Sequence, residues 1–282
     1  MIFTYSVWDE FCKSLAEKGL FSVTAKSLLN ETLSGNNLIH HNRWVNLKHD
    51  VESTPEKALQ LARIEAKYGH RATYYVQSYL MIEDNQSLFH EIQKLGHEVT
   101  YHHDVMDGSK GDLDGALTIF ADNLENFYRL GFKVETVCQH GNPMSTFENR
   151  DFFRSDITRA RYPLMADIMV NFGDKIQQKY VYISDVGMSF KIVNDPVNSD
   201  KKPEDEKYVL LGTLEDVLNE IMANPETNYM ISSHPHRYYS SYMKAYLKTT
   251  LFSFIRGIAK VLFKIPRLKK RLFRFNFISK KL

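Results

Sequence analysis

Side chains able to hold a cation or move a proton stand at the ends of several short apolar runs. One run ends Lys48-His49-Asp50-Val51-Glu52 and another His102-His103-Asp104. A third ends Gln139-His140-Gly141-Asn142-Pro143, a later one reaches Asp185, and the last ends His234-Pro235-His236-Arg237. Carboxylate oxygens and imidazole nitrogens together suit a borderline cation such as Zn²⁺. Such a cation polarises a carbonyl and acidifies a bound water. A second carboxylate or histidine can take that water's proton, and another histidine can return one to a leaving amine.

The elements that must position these groups alternate. Strand-like runs rich in β-branched and aromatic residues fall at 44–51, 71–76, 98–103, 134–140, 180–185 and 229–234. Between them lie helical patterns. Ser53-Thr54-Pro55-Glu56 has capping-box spacing and an early proline, with Ala58, Leu61, Ile64 and Tyr68 following before Gly69. Leu88, Ile92 and Leu95 precede Gly96, and a run from Leu113 to Phe127 ends before Gly131. Another pattern follows Thr213. Strand and helix in alternation predict a parallel β/α architecture, closed as a barrel or spread as a doubly wound sheet. In either form the functional groups belong at the carboxyl ends of the strands.

Alternation along each strand sorts the candidates. Val45 and Leu47 should face the helices, which turns Asn46, Lys48 and Asp50 inward and His49 away. Val99 and Tyr101 should do the same, turning His102 inward and His103 away. The strands bearing His140 and His234 are not cleanly apolar on one phase, so alternation leaves both open. His49 reads as a packed or capping histidine, and Asp50 read blandly is a turn or helix-cap carboxylate before Ser53. His140-Gly141-Asn142-Pro143 is also turn chemistry. Asn142, Arg150, Asp185 and Arg237 are candidate substrate contacts, against the plainer reading of solvated loop polar groups.

The run LKHDVESTPEKALQLARIEAKYGHRATYYV, with GHEVTYHHD, CQHGNPMSTFENRDFF and YMISSHPHRYY, resembles the polysaccharide deacetylase superfamily. The likeness spans roughly residues 1–240. It implies a distorted parallel (β/α)₇-type barrel that hydrolyses acyl groups on sugars with a divalent metal, zinc by expectation. Asp50 matches the aspartate of the first motif, as metal ligand or base. His102 matches the first histidine of the metal pair, and His234 the late-strand general acid. Met106 stands where the family has its second histidine, and the usual arginine-containing loop is replaced by His140-Gly141-Asn142-Pro143. His140 or His103 would then supply the missing nitrogen, giving Asp50, His102 and His140 as the metal set. Asp50, Glu52 and His234 would share the acid–base work. The expected substrate is an N-acylated sugar in surface-glycan biosynthesis, such as lipopolysaccharide or capsule. The alternative is an inactive barrel that binds glycan or scaffolds its assembly at a membrane.

Charge separates the chain into two parts. Residues 237–282 hold 13 of the 36 Lys and Arg and none of the 34 Asp and Glu, so residues 1–236 carry 23 basic against 34 acidic side chains. We read residues 1–240 as the barrel domain and 241–282 as a basic amphipathic tail. Over residues 246–264, Leu247, Leu251, Phe254, Ile258 and Leu262 share one helical face, with lysines and arginines on another. That pattern fits an anionic membrane surface. An acidic body without a nucleic-acid motif argues against nucleic acid. No signal-like start and no long uncharged apolar run is present, so the expected place is the cytoplasm, peripheral at the inner membrane face. Two cysteines, Cys12 and Cys138, are too few for a disulfide scaffold.

Overall fold

A computed structural model describes residues 1–35, 43–142, 145–194 and 204–262. The chain opens with helices α1 (Tyr5–Glu17) and α2 (Ala25–Leu33). It then alternates through β1 (Val45–Val51), α3 (Pro55–Lys67), β2 (Ala72–Gln77), α4 (Glu83–Lys94), β3 (Glu98–His103), α5 (Val105–Gly108), α6 (Leu113–Arg129) and β4 (Thr136–Gln139). Short helices α7 (Asp151–Arg154) and α8 (Asp156–Arg161) lead to β5 (Ala166–Asp167), α9 (Phe172–Ile176) and β6 (Val181–Ser184). The remainder is β7 (Phe190–Val193), α10 (Glu204–Lys207), β8 (Tyr208–Gly212), α11 (Leu214–Ala223), β9 (Tyr229–Ser233) and α12 (Tyr242–Leu262).

The sheet order is β5-β4-β3-β2-β1-β9-β6-β7-β8. Every pairing from β5 to β6 is parallel, and at the other edge the β6–β7 and β7–β8 pairings are antiparallel, so β7 alone is reversed among these strands. The fold is therefore α/β with a mostly parallel sheet. The sheet curls enough for Tyr75 of β2, Cys138 of β4, Tyr182 of β6 and Met230 of β9 to join one interior cluster. Among the described residues no ladder joins β5 to β6. Instead the Tyr180 hydroxyl donates to the Ile168 carbonyl (2.7 Å) across that gap.

All seven residues of β1 are buried, as expected of a parallel strand covered on both faces. Val45, Leu47 and Val51 pack with α1, α3, α4 and α6 in the outer core. Asn46, Lys48 and Asp50 face the interior. At the amino ends of the strands, α2 closes the interior. Its first turn is capped by Thr24, and the Lys26 amide donates to buried Glu98 (2.9 Å). Thr73 and Thr136 donate to the same carboxylate, and burial outweighs all three in raising its pKa. With that end plugged, the carboxyl ends remain as the open mouth.

Some sequence expectations change. Six strands appear near the runs that predict them, but β5, β7 and β8 have no counterpart in the sequence pattern; they span two to five residues, too short for a periodic signal. Helices α1 and α2 are also additions to that pattern, although Trp8, Phe11, Cys12 and Leu15 of α1 stand at helical spacing behind a Thr4 cap. The capping box at Ser53 and Glu56 does not form. Thr54 is the N-cap residue at a left-handed φ of 54°, with no side-chain cap bond, and Pro55 starts the helix. The polar stretch at 194–207 ends in the helical turn α10, and its residues 195–203 lie outside the described residues, as do Pro143 and the tail beyond 262. Cys12 and Cys138 are both buried and free, the first in the outer core and the second inside the sheet.

His49 turns outward as alternation requires and anchors the outer layer. Its Nε2 donates to Glu65 of α3 (2.6 Å), which also accepts from the Trp8 indole (3.0 Å) and the Tyr74 hydroxyl (2.6 Å). Burial works against the Glu65 charge, but His49 and the hydroxyl outweigh it and lower the pKa. A group with a depressed folded pKa stabilises above its unfolded value, near ~4.3, and loses that contribution as pH falls toward the folded one. We expect Glu65→Ala to cost about 3–5 kcal/mol at neutral pH, because three buried donors lose their acceptor. Urea unfolding should show that penalty, and it should shrink below about pH 4.

Candidate metal and acid–base site

Strand parity, unsettled in the sequence, is resolved by the ladder. Cys138 and Met230 both face the interior, so His140 and His234, two and four residues further on, turn the same way. At the mouth, Glu52 Oε1 lies 3.2 Å from His140 Nε2, 3.7 Å from His102 Nε2 and 3.8 Å from His234 Nε2. Three imidazole nitrogens from β3, β4 and β9 thus surround one carboxylate oxygen from the end of β1. Glu52 is the most open of the set, its side chain 27% exposed against 2% for His102.

His102 and His234 are oriented from behind through Nδ1, and His140 through its backbone. His102 Nδ1 lies 3.0 Å from the Cys138 carbonyl, which only accepts, so Nδ1 carries the proton. That bond leaves the Nε2 tip facing Glu52, an arrangement characteristic of a metal-binding histidine. His140 is set by its amide donating to the His103 carbonyl (2.7 Å) and by Asn149 Nδ2 donating to its own carbonyl (2.9 Å). His234 is held by Asp185, which accepts from Nδ1 (2.6 Å) and from the His234 amide (3.0 Å). Arg237 donates to the same carboxylate (2.7 Å).

The electrostatics favour a cation at the centre. Burial opposes the charge on Glu52, yet His102 and His140 hold its pKa well below the ordinary range. Burial likewise opposes a proton on His140, and Glu52 outweighs it, so that pKa rises. A proton and a metal ion would compete for the same nitrogen. Asp185 stays ionised because Arg237 and His234 outweigh its burial. His236, beside His234, is pushed down to about 4 by burial and then by the neighbouring positive groups.

Among the described residues, two groups of potential ligand atoms lie close enough to share an ion, Glu52–His102–His140 and Asp50–His102–Cys138. The first fits zinc better. Burial pushes the Cys138 thiol up, and His102 already spends the Nδ1 nearer Asp50 on a carbonyl. Asp50 itself is engaged by Lys48, whose Nζ lies 2.7 and 2.5 Å from its two oxygens. The set expected from sequence is Asp50, His102 and His140. The geometry gathers the two histidines around Glu52, and leaves Asp50 facing His234 Nε2 at 3.9 Å. Met106 is buried in the outer core and offers nothing to the site.

The other candidates sit further out. His103 faces the helices and pairs with buried Asp167 (2.8 Å) among Phe120, Phe152 and Phe153. Asn142 donates to Asp107 (3.0 Å), and Asp107 also accepts from Asn149 (3.1 Å), so this cluster shapes the loop after β4. Arg150 pairs with Glu148 (3.3 Å) on that loop. Asp185 and Arg237 stand behind His234. Lys48 and Asn149 join the site without being among the sequence candidates for it. Lys48 directly precedes His49-Asp50 with inward parity, so a signal exists; Asn149 has none.

No protein-family model and no curated protein matches the chain. Among solved structures it is similar to a CE4 esterase from Streptococcus mutans (10% identity, 84% of this chain and 89% of that one, TM-score 0.44). It is also similar to a mutant peptidoglycan deacetylase from Bacillus subtilis (11%, 85% and 97%, 0.41). A third is a family 4 carbohydrate esterase from Streptomyces lividans in complex with acetate (12%, 77% and 90%, 0.41).

We expect zinc titrated into the metal-free protein to bind near one equivalent. Glu52→Gln, His102→Ala and His140→Ala should each weaken it by roughly a hundredfold or more, beyond the loss typical of an outer partner. Asp50→Asn should retain most of the affinity. Calorimetric titration checks the order.

Proposed function

We propose that the protein is a metal-dependent deacetylase acting on an N-acylated sugar, with a role in surface-glycan biosynthesis. The convergence of three imidazole nitrogens on Glu52, with Asp50 and His234 face to face beside it, is the observation that carries this reading. Glu52, His102 and His140 would hold the cation, zinc by ligand type. When bound it would supply Lewis acidity toward the acyl carbonyl. Asp50 is kept ionised against its burial, first by Lys48, and so can take a proton from the attacking water. His234 receives its orientation from Asp185, which fixes Nδ1 and leaves Nε2 facing Asp50 across 3.9 Å. From there it can protonate the departing amine. Arg237 keeps Asp185 charged, so the histidine stays aligned through the cycle. The sequence resemblance supports the same assignment of Asp50, His102 and His234.

A second reading has two specific observations in its favour. Lys48 engages both oxygens of Asp50 and Met106 replaces a motif histidine, as a barrel that binds glycan without cleaving it would tolerate. The two readings separate by product. We expect acetate release from N-acetylglucosamine oligomers by the zinc-loaded protein. His234→Ala should lower kcat by about 10²–10⁴-fold while zinc affinity stays near the parent value. No acetate from a stoichiometrically loaded protein would favour the binding barrel.

A further inference from the structure

Helix α12 begins eight residues after His234 and leaves the sheet almost at once. Ala245 is buried, at 1% exposure, whereas Leu247 and Phe254 are 60% and 66% exposed. Met243, Leu247, Leu251 and Phe254 follow helical spacing and make one exposed apolar stripe. Lys244 and Lys248 run beside it one helical step away, both exposed. Tyr242 and Tyr246 flank the other side with rings stacked at 6.5 Å. An apolar stripe edged by lysines and tyrosines matches an interfacial lipid-binding helix, in which the rings sit at headgroup level and the ammonium groups reach outward. No helix among the described residues is long and apolar enough to cross a membrane. Residues 237–282 contain no acidic side chain to oppose an anionic surface.

The helix starts at the mouth. Lys57, in the first turn of α3 just past Glu52, donates to the His236 carbonyl (2.7 Å) and lies 3.5 Å from the Tyr239 ring centroid. Its amine is pushed down to about 8 by burial and then by nearby Lys248. The loops at this same end of the parallel strands expose Tyr79 and Ile82 after β2, Phe147 after β4 and Val186 after β6.

We propose that α12 seats the protein on an anionic bilayer with the carboxyl ends of the strands turned to the lipid, so that the site takes an acylated sugar carried on a lipid. The substrate half of this inference rests on the deacetylase reading; the seating half does not. Near an anionic leaflet each lysine contributes about a factor of five. The test uses the full chain, sedimented with phosphatidylcholine vesicles with and without phosphatidylglycerol. Binding should require phosphatidylglycerol, and Lys244→Glu/Lys248→Glu and Leu247→Glu/Leu251→Glu should each lower it by roughly thirtyfold or more, with thermal melting unchanged. Equal binding by parent and variants, or equal binding without the anionic lipid, overturns the seating. Turnover is then compared on N-acetylglucosamine linked through diphosphate to a polyprenyl lipid in the vesicles and on a water-soluble N-acetylglucosamine oligomer. The lysine variant should lose activity on the first alone. Equal loss on both overturns the lipid-carried substrate. Vesicle binding with hydrolysis of neither overturns the deacetylase reading and leaves the seating standing.

Discussion

A charge taken out of water inside a protein needs an opposite charge held close to it, and the Lys48–Asp50 pair imposes that requirement on the interior of the sheet. Both side chains come from β1, two residues apart and on one face. Lys48 Nζ also reaches Tyr182 Oη (3.3 Å) on β6 and Ser232 Oγ (3.2 Å) on β9. It lies 5.6 and 5.8 Å from the rings of Tyr75 and Tyr182. One ammonium therefore links three adjacent strands and lines up β2 against them. Asp50 stays ionised in a place where an unpaired carboxylate would take up a proton. The mouth can hold two carboxylates, Asp50 and Glu52, because that ammonium lies beneath one and imidazoles surround the other.

The same strand parity divides the histidines by task. His49 and Asp50 are neighbours, yet one serves the helical layer and the other the interior. His102 and His103 repeat the division on β3. The outward members are hydrogen-bonded to buried carboxylates, Glu65 and Asp167, and packed among aromatic rings. Removing them would injure the fold first. Of the inward histidines, His102 and His234 have backs held by a carbonyl and a carboxylate and tips turned to the mouth, which is the preorganisation that binding and proton transfer both need.

Closure of the opposite end completes the arrangement. The first turn of α2 meets Glu98, Thr73 and Thr136 and seals the amino ends of the strands. Access to the interior is left to the end where α12 departs. The site, the exposed loop apolars and the start of α12 share that end.

Much of this is legible in the residues. The β/α alternation, the inward turn of Asp50 and His102 and the outward turn of His49 and His103 follow from local periodicity, because adjacent residues on a strand must face opposite ways. The polar strand ends mark the mouth by residue type alone. Short edge strands such as β5 and β7 carry too few residues for a period, and only the ladder with their neighbours defines them. The choice of Glu52 over Asp50 at the centre of the imidazoles also lies beyond the sequence. It depends on Lys48 engaging one carboxylate and on His140 arriving from a different strand, and those are distances through space that spacing along the chain does not encode.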